Sequence, residues 1–297
     1  MWKIPEAECS AAVCTEDGTR IALRRYGNRR GPRLVLSHGN GLAIDLYYPF
    51  WSLLTERFDV IVYDFRNHGR NPPSASPNHD IATFVSDNER IFRGIERLFG
   101  DKPWVGVFHS LSAITILNHS PPGANALALV LFDPPIFAKS GDQLDLDRLY
   151  QRFRRLALWR HGSFEKREHF AHAFRDSGLM ERALPGVPEL ASEALLRSAA
   201  DGDGYEPRCP PEYEARVNEY FFAYNYEPEL GSLRCPVKVI GADPTLPFSF
   251  LPGFTTRSWA DVDYDFVPDT THYLQIEKPK ECAGMMSRFL DKQDFAG

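Results

Sequence analysis

Short apolar runs alternate with longer amphipathic or apolar helical segments along most of the chain. The runs contain few polar residues, which is typical of strands buried on both faces of a parallel sheet. Predicted strands of this type cover Arg33–Ser37, Val60–Tyr63, Trp104–Phe108, Leu127–Phe132, Val237–Gly241 and Tyr264–Val267. A long segment between two of them, about Ile81–Phe99, repeats apolar residues mostly at three- and four-residue spacings, which predicts a helix. Predicted helices cover about Ile81–Phe99, Leu111–Leu117 and about Pro279–Lys292, with an amphipathic stretch at about Ile44–Arg57.

Two features stand apart from this alternation. A hairpin is predicted near the start, where Ala11–Thr15 and Thr19–Arg25 flank the turn residues Glu16-Asp17-Gly18. Between about residues 137 and 232 the chain shows helical segments with charged faces and no clear strand. The predicted fold class is therefore α/β: a mostly parallel sheet flanked by helices, with a helical cap insertion. The core domain is predicted to comprise residues 1–136 and 233–297, and the cap, residues 137–232, is expected over the carboxyl edge of the sheet, where such sheets bind ligands.

Composition and charge exclude several classes of protein. The 297 residues carry a net charge of −6, so a general attraction to nucleic acid is not expected. No apolar stretch approaches the ~20 residues of a membrane span, and the first residues lack the apolar region of a secretory signal. The five cysteines are scattered, and no pair of histidines at metal-ligand spacing is also flanked by cysteines or carboxylates. We therefore expect a cytoplasmic protein with reduced thiols and without a bound metal.

Five short motifs lie at the ends of predicted elements, in a fixed order along the chain. They are His38-Gly39, Asp64-x-Arg66-x-x-Gly69, His109-Ser110, Gly241-Ala242-Asp243 and His272-x-x-x-x-Glu277-x-Pro279. In kind, order and position they resemble the motifs of the α/β-hydrolase superfamily, in its capped, serine esterase- and lipase-like branch. The resemblance extends along nearly the whole chain. It implies the α/β-hydrolase fold and an enzyme that needs no cofactor.

The resemblance assigns the central chemistry to Ser110 and His272. A serine hydroxyl is a weak nucleophile at neutral pH, and it needs a base within hydrogen-bonding distance. That base in turn needs a third group to hold its tautomer. Because Ser110 lies between a buried strand and an apolar helix, its alternative role is an ordinary helix N-cap. The alternative for His272 is a surface loop histidine.

Two aspartates compete for the third position of the triad. Asp243 follows the strand Val237–Gly241 and is predicted to be the acid, its alternative role being a turn carboxylate before Pro244. Asp133 follows the strand Leu127–Phe132, and some branches of the superfamily take their acid from that position. The sequence favours Asp243 and leaves Asp133 open.

The resemblance also implies an oxyanion hole, formed by the backbone N–H groups of Asn40 and Leu111. The Asn40 side chain is a further candidate donor, or else it belongs to a loop residue that tolerates left-handed geometry. One residue departs from the family pattern: Phe108 stands two positions before Ser110, where a small residue is usual. Ser112, two positions after Ser110, is small enough to fit the pattern.

Candidate substrate-binding residues are aromatic. Phe222 and Tyr226 lie in an aromatic segment of the predicted cap, and Tyr47 lies in the amphipathic stretch that follows the first buried strand. Such side chains suit an apolar part of a substrate, and they suit packing of the cap onto the core equally well. The predicted function is hydrolysis of a small to medium, partly apolar carboxylic ester, a small-molecule substrate, through an acyl-enzyme.

Other functions stay open at this point. The same triad serves hydrolysis of carbon–carbon bonds or thioesters, and a catalytically degenerate ligand-binding or receptor protein can be built on the same fold. The presence of Ser110, Asp243 and His272 favours an enzyme, whereas Phe108 slightly favours the degenerate protein. The sequence leaves the oligomeric state open.

Overall fold

An eight-stranded, mostly parallel β-sheet forms the centre of the protein. A computed structural model describes residues 2–136, 151, 154, 157, 162–177, 180–200, 202–224, 233–246 and 262–295, with the side chains of residues 221–224 excepted. The strands are β1 (Cys9–Cys14), β2 (Arg20–Gly27), β3 (Arg33–Ser37), β4 (Asp59–Tyr63), β5 (Trp104–His109), β6 (Ala128–Phe132), β7 (Leu196–Ser198), β8 (Tyr205–Pro207), β9 (Val237–Gly241) and β10 (Asp263–Phe266). The helices are α1 (Ile81–Phe99), α2 (Leu111–Leu117), α3 (Arg167–Asp176), α4 (Val187–Leu195), α5 (Pro211–Tyr224), α6 (Leu274–Glu277) and α7 (Pro279–Lys292). Short helical turns lie at Ile44–Tyr47, Tyr48–Trp51 and Ser52–Leu54.

The strand order of the large sheet is β1-β2-β4-β3-β5-β6-β9-β10. The pairs β1–β2 and β2–β4 are antiparallel, and every later pair is parallel. Every residue of β3, β4, β5, β6 and β9 is buried, as the unbroken apolar runs predict for strands covered on both faces. The predicted α/β fold with a mostly parallel sheet is confirmed.

Two hydrophobic clusters lie on opposite faces of the sheet. One contains α7 and the helical turns at residues 44–54, and the other contains α1 and α2. Within β3, Leu34 and Leu36 enter the first cluster and Val35 enters the second, as the two-residue period of a strand requires. Both faces of the central strands are therefore mainly apolar, and most of their polar side chains lie at or near the strand ends.

The carboxyl ends of the parallel strands carry the polar residues of the sequence motifs. They are His38 after β3, Asp64 after β4, Ser110 after β5, Asp133 after β6 and Asp243 after β9. Because these strands run parallel, their carboxyl ends lie along one edge of the sheet. His272, in the loop between β10 and α6, reaches the same edge, because its Nε2 atom lies 2.9 Å from Ser110 Oγ.

Helix α1 is the longest helix of the described residues, with 19 residues. It begins after Asp80, whose carboxylate accepts a hydrogen bond from the Thr83 N–H at 2.8 Å, and it ends at Phe99, before Gly100, where φ is +91°. One face is buried against the sheet and the opposite face carries charged residues. Within the described ranges, no helix combines the length and the apolar character needed to cross a bilayer.

The chain between β6 and β9 contains helices α3, α4 and α5, as predicted, and also an element that the sequence did not predict. Strands β7 and β8 form a small antiparallel pair, with Leu196 opposite Pro207. Each strand has three residues, which is too short for apolar–polar alternation to be recognised. The assignment of residues 137–232 as a cap stays a prediction, and residues 137–150 and 225–232 of it lie outside the described residues.

Candidate active site

Ser110 lies at a sharp turn between β5 and α2. Its backbone has φ +52° and ψ −112°, a conformation that non-glycine residues rarely adopt and that costs about 1–3 kcal/mol. Two backbone hydrogen bonds of 3.1 Å hold the turn: the Ser110 N–H donates to the Phe132 carbonyl, and the Ile114 N–H donates to the Ser110 carbonyl. The hydroxyl is directed to His272 instead of capping the helix. The strained turn thus directs a buried hydroxyl at His272, and the absence of a hydrogen bond from this side chain to the helix does not support the N-cap alternative.

Gly106 explains how the turn accommodates the large Phe108 side chain. Residues two apart on a strand point to the same face of the sheet. The Phe108 ring covers Gly106 so closely that a Cβ atom at position 106 would lie 2.5 Å from Phe108 Cε2. On the other side of the turn, Ser112 is fully buried and its Oγ accepts from the His109 N–H at 2.9 Å. In the family pattern, a small residue at position 108 leaves space beside the serine. Here Gly106, two residues before Phe108 on the same strand, leaves the space that the Phe108 ring needs.

A continuous chain of hydrogen bonds links Ser110, His272 and Asp133. Ser110 Oγ lies 2.9 Å from His272 Nε2, and His272 Nδ1 lies 2.6 Å from Asp133 Oδ2. A carboxylate accepts, so His272 Nδ1 carries the proton and Nε2 accepts from the Ser110 hydroxyl. The other Asp133 oxygen accepts from the Ala242 N–H at 3.2 Å, which anchors the carboxylate to the loop after β9. Because the three residues are only 7 %, 5 % and 0 % exposed, water competes little with these contacts.

The Asp243 carboxylate is hydrogen-bonded to residues of the loops that follow β9 and β10. It accepts from the Asp269 N–H at 2.7 Å and from the Thr245 hydroxyl at 2.6 Å. The hydrogen bond from Thr245 is the largest of the causes that lower the pKa of Asp243. The sequence placed Asp243 against His272, and the structure corrects this placement in favour of Asp133. Strand β6 is next to β5, whereas β9 lies one strand farther, about 4.8 Å, so the end of β6 is the closer source of a carboxylate.

The loop after β3 approaches the turn at Ser110 very closely. A Cβ atom at Gly39 would lie 3.2 Å from Ser110 Cβ, so a larger residue would push the loop away. Asn40 follows Gly39 in this loop. Leu111 is the first residue of α2, and the N–H groups of a first helical turn have no acceptor within the helix. The backbone segments predicted to form the oxyanion hole thus both lie next to Ser110.

The Asn40 side chain is used in a different way from the one predicted. Its Nδ2 donates to the Glu214 carbonyl and to Asn218 Oδ1, both at 2.9 Å and both in α5. These two bonds use both hydrogens of the amide, so the side chain is corrected from an oxyanion donor to a link between this loop and α5. The Asn40 Oδ1 atom is buried without a hydrogen-bond partner among the described residues.

The structure describes the three predicted substrate-binding residues to different extents. Tyr47 is buried, with 4 % of its surface exposed, and its hydroxyl lies 3.1 Å from the Gly39 nitrogen and 2.7 Å from His109 Nδ1. The structure therefore places the Tyr47 hydroxyl between the Gly39 loop and His109, and the substrate-binding role of Tyr47 stays a prediction. Phe222 lies in α5 with its side chain outside the described residues, and Tyr226 lies outside them altogether. The substrate-binding role of these two residues stays a prediction.

A second group of buried side chains comprises His68, His79 and Cys209, whose potential ligand atoms lie within 4.8 Å of one another. His68 Nδ1 donates to a backbone carbonyl at 2.8 Å, and its Nε2 accepts from a backbone N–H at 3.3 Å. His79 Nδ1 accepts from the Asn67 amide at 3.3 Å, and burial lowers the pKa of His79. Three of the four ring nitrogens are thus engaged in hydrogen bonds. The fourth, His79 Nε2, is buried without a hydrogen-bond partner among the described residues, and we assign no metal to the group.

Comparison with known proteins identifies sequence relatives over part of the chain. The family model described as the alpha/beta hydrolase family matches residues 34–285. The chain is 29 % identical over 195 residues to the probable oxidoreductase EphD of Mycobacterium tuberculosis, which covers 65 % of this chain and 31 % of that protein. It is 30 % identical over 138 residues to the non-heme chloroperoxidase of Streptomyces lividans, which covers 45 % of this chain and 48 % of that protein. The matches span about a third to a half of the length of these curated relatives.

Solved structures resemble the whole chain at lower sequence identity. E-2-(acetamidomethylene)succinate hydrolase has a TM-score of 0.75 at 19 % identity, with 95 % of this chain and 100 % of that chain covered. The thioesterase domain from the curacin biosynthetic pathway has a TM-score of 0.70 at 16 % identity, with coverage of 94 % and 100 %. The enol-lactonase from Burkholderia xenovorans has a TM-score of 0.66 at 20 % identity, with coverage of 95 % and 100 %. These likenesses concern the fold, and the family model spans most of the sequence. The chain belongs to the alpha/beta hydrolase family.

Proposed function

We propose that this protein is a serine hydrolase that cleaves carboxylic esters, with Ser110 as nucleophile, His272 as general base and Asp133 as the acid that orients His272. The observation that carries the proposal is the buried chain from Ser110 Oγ through His272 to Asp133, with contacts of 2.9 and 2.6 Å. Such a chain supplies the base and the tautomer-fixing group that a serine nucleophile needs. Membership of the alpha/beta hydrolase family and its hydrolase neighbours support hydrolytic activity.

The proposed reaction has two steps that use the same groups. In the first, Ser110 Oγ attacks the ester carbonyl carbon while His272 Nε2 takes the hydroxyl proton. The carbon–oxygen bond to the alcohol then breaks, and His272 gives its proton to the departing oxygen. In the second, a water molecule attacks the acyl-enzyme in the same way and releases the acid and Ser110. Asp133 keeps the Nδ1 proton in place and stabilises the imidazolium that forms in each step.

Negative charge on the carbonyl oxygen is proposed to be stabilised by the backbone N–H groups of Asn40 and Leu111. The support is their placement: Asn40 follows Gly39, which packs against Ser110, and Leu111 follows Ser110 at the start of α2. Preorganised donors at such a place contribute strongly to acyl transfer, because they meet charge that develops only in the transition state. The Asn40 side chain supports this indirectly by tying the loop to α5.

The proposed substrate is a small to medium, partly apolar ester. The support comes from the aromatic composition of residues 220–226 and from the predicted position of residues 137–232 as a cap over the sheet edge. The hydrogen bonds from Asn40 to α5 are in keeping with such a cap, because they join the inserted helices to the loop beside Ser110. Neighbours named as an enol-lactonase and a thioesterase domain are in keeping with acyl chemistry.

A panel of p-nitrophenyl esters with acetyl, butyryl, octanoyl and lauroyl groups tests the substrate class. We expect kcat/KM to be highest for a chain from acetyl to octanoyl and to fall for lauroyl, because the pocket is proposed to fit a small to medium acyl group. The matched control is the same acyl series as thioesters. If the folded protein hydrolyses the thioesters and none of the esters, the proposed ester hydrolase is wrong and the protein is a thioesterase.

A further inference from the structure

A second chain of hydrogen bonds runs behind the first and consists of Tyr47 and His109. The Tyr47 hydroxyl lies 3.1 Å from the Gly39 nitrogen and 2.7 Å from His109 Nδ1. His109 Nε2 lies 2.8 Å from the backbone carbonyl oxygen of His272, and the two imidazole rings are 4.6 Å apart. These hydrogen bonds therefore join the loop after β3 to the loop that carries the proposed base. One of the two residues, His109, directly precedes Ser110.

The chemistry of these groups fixes the direction of every hydrogen bond in the chain. The His272 carbonyl only accepts, so His109 Nε2 carries the proton and donates. His109 Nδ1 then accepts from the Tyr47 hydroxyl, whose oxygen accepts from the Gly39 N–H. Burial, with a smaller contribution from His272, lowers the pKa of His109 well below its ordinary value, and burial raises the pKa of Tyr47. Both side chains are therefore neutral near pH 7, as this pattern of donors and acceptors requires.

Tight packing leaves the Tyr47 and His109 side chains little room to move. Tyr47 is 4 % and His109 is 1 % exposed. A Cβ atom at Gly39 would lie 2.9 Å from His109 Nδ1, so the loop after β3 rests directly on this ring. A buried chain whose donors and acceptors are all used has one arrangement that satisfies it, and any shift leaves a buried polar group unpaired.

We propose that Tyr47 and His109 are positioning residues that hold the His272 loop and the Gly39 loop in register with Ser110. The proposal rests on the function proposed above. Asp133 acts on the ring of His272, whereas His109 acts on its backbone, so the two contacts fix different parts of the same residue. A displacement of about 1 Å in a catalytic group lowers the rate about 100-fold. Loss of the hydrogen bonds of Tyr47 and His109 is therefore expected to lower kcat more than it changes KM.

Three variants test this role. Tyr47→Phe removes the hydroxyl and His109→Leu removes both ring nitrogens, and each is expected to lower kcat about 10- to 100-fold with KM changed less than about twofold. His109→Gln keeps one acceptor and one donor without a titratable ring, and it is expected to stay within about fivefold of the parent. The double variant Tyr47→Phe/His109→Leu is expected to be no worse than the poorer single variant, because both interrupt one chain.

The matched control is Tyr63→Phe. Tyr63 is another fully buried tyrosine whose hydroxyl donates one buried hydrogen bond, to Asn88 Oδ1 at 2.9 Å, on the side of the sheet that α1 covers. Its loss is expected to lower the melting temperature about as much as Tyr47→Phe does and to leave kcat within about twofold. The rate of covalent labelling by a fluorophosphonate is measured beside kcat, because it reports on Ser110 and His272 without knowledge of the natural substrate.

The outcomes separate this inference from the proposed function. Slower labelling in Tyr47→Phe and His109→Leu than in Tyr63→Phe, with recovery in His109→Gln, supports the positioning role. Labelling of Tyr47→Phe as fast as that of Tyr63→Phe at a similar loss of melting temperature overturns it, because the chain then only stabilises the fold. If His109→Leu does not fold, the labelling rates of Tyr47→Phe and His109→Gln still distinguish the positioning role from a purely stabilising one. Failure of the proposed function shows differently, as a parent protein that a fluorophosphonate does not label.

Discussion

Ser110→Ala is expected to lower kcat for ester hydrolysis by about 10⁶-fold while leaving the fold intact. His272 then has no hydroxyl to activate. The nearby Ser112 does not replace it, because its Oγ lies 2.9 Å from both the nitrogen and the carbonyl oxygen of His109 and is fully buried. The measurement is kcat for the best ester of the panel, with circular dichroism as the check on folding.

Ser112→Ala is the matched control for this prediction. It also removes a serine hydroxyl, two residues farther along the sequence. It is expected to lower the thermal stability and to lower kcat by no more than about tenfold, because only a supporting hydrogen bond is lost. Activity of Ser110→Ala within about tenfold of the parent would contradict the assignment of Ser110 as nucleophile.

Asparagine substitutions at Asp133 and Asp243 are expected to differ by several orders of magnitude in effect. Asp133→Asn removes the carboxylate that holds the Nδ1 proton of His272, a change that costs about 10⁴-fold in kcat in a well-studied triad. Asp243→Asn weakens contacts to Thr245 and Asp269 in its own loop region, so a loss of about tenfold or less is expected. The kcat values and melting temperatures of both variants are the measurement. A larger loss of kcat at Asp243 would restore the assignment made from the sequence.

The arrangement of the core could be predicted wherever the hydrophobic period was long and regular. Helices Ile81–Phe99 and Pro279–Lys292 and strands Arg33–Ser37 and Val237–Gly241 have the bounds that the pattern predicts. In the amphipathic stretch at Ile44–Arg57 the chain forms three short helical turns, the second with Pro49 in its first turn. A proline in that position lacks the N–H needed to continue the preceding turn, so the stretch does not form one helix.

The acid of the site could not be decided from the sequence, because it depends on contacts between strands far apart in the chain. Asp133 and Asp243 each follow a buried strand, and only the strand order shows that β6 adjoins β5. The opposite holds for Phe108. Gly106 stands two residues before it on the same face of β5, and this spacing was an available signal that the ring has space. The roles of Tyr47 and His109 depend on hydrogen bonds across the fold that no local pattern predicts.

The most direct test of the central claim, that Ser110 is an activated nucleophile, is the reaction of the protein with a fluorophosphonate followed by peptide mapping. Such a reagent modifies a serine whose hydroxyl proton can be taken by a neighbouring base. We predict one covalent modification per chain, located at Ser110, and none in Ser110→Ala. A folded protein that stays unmodified, or one modified at another serine, would contradict the claim and favour a ligand-binding protein built on the same fold.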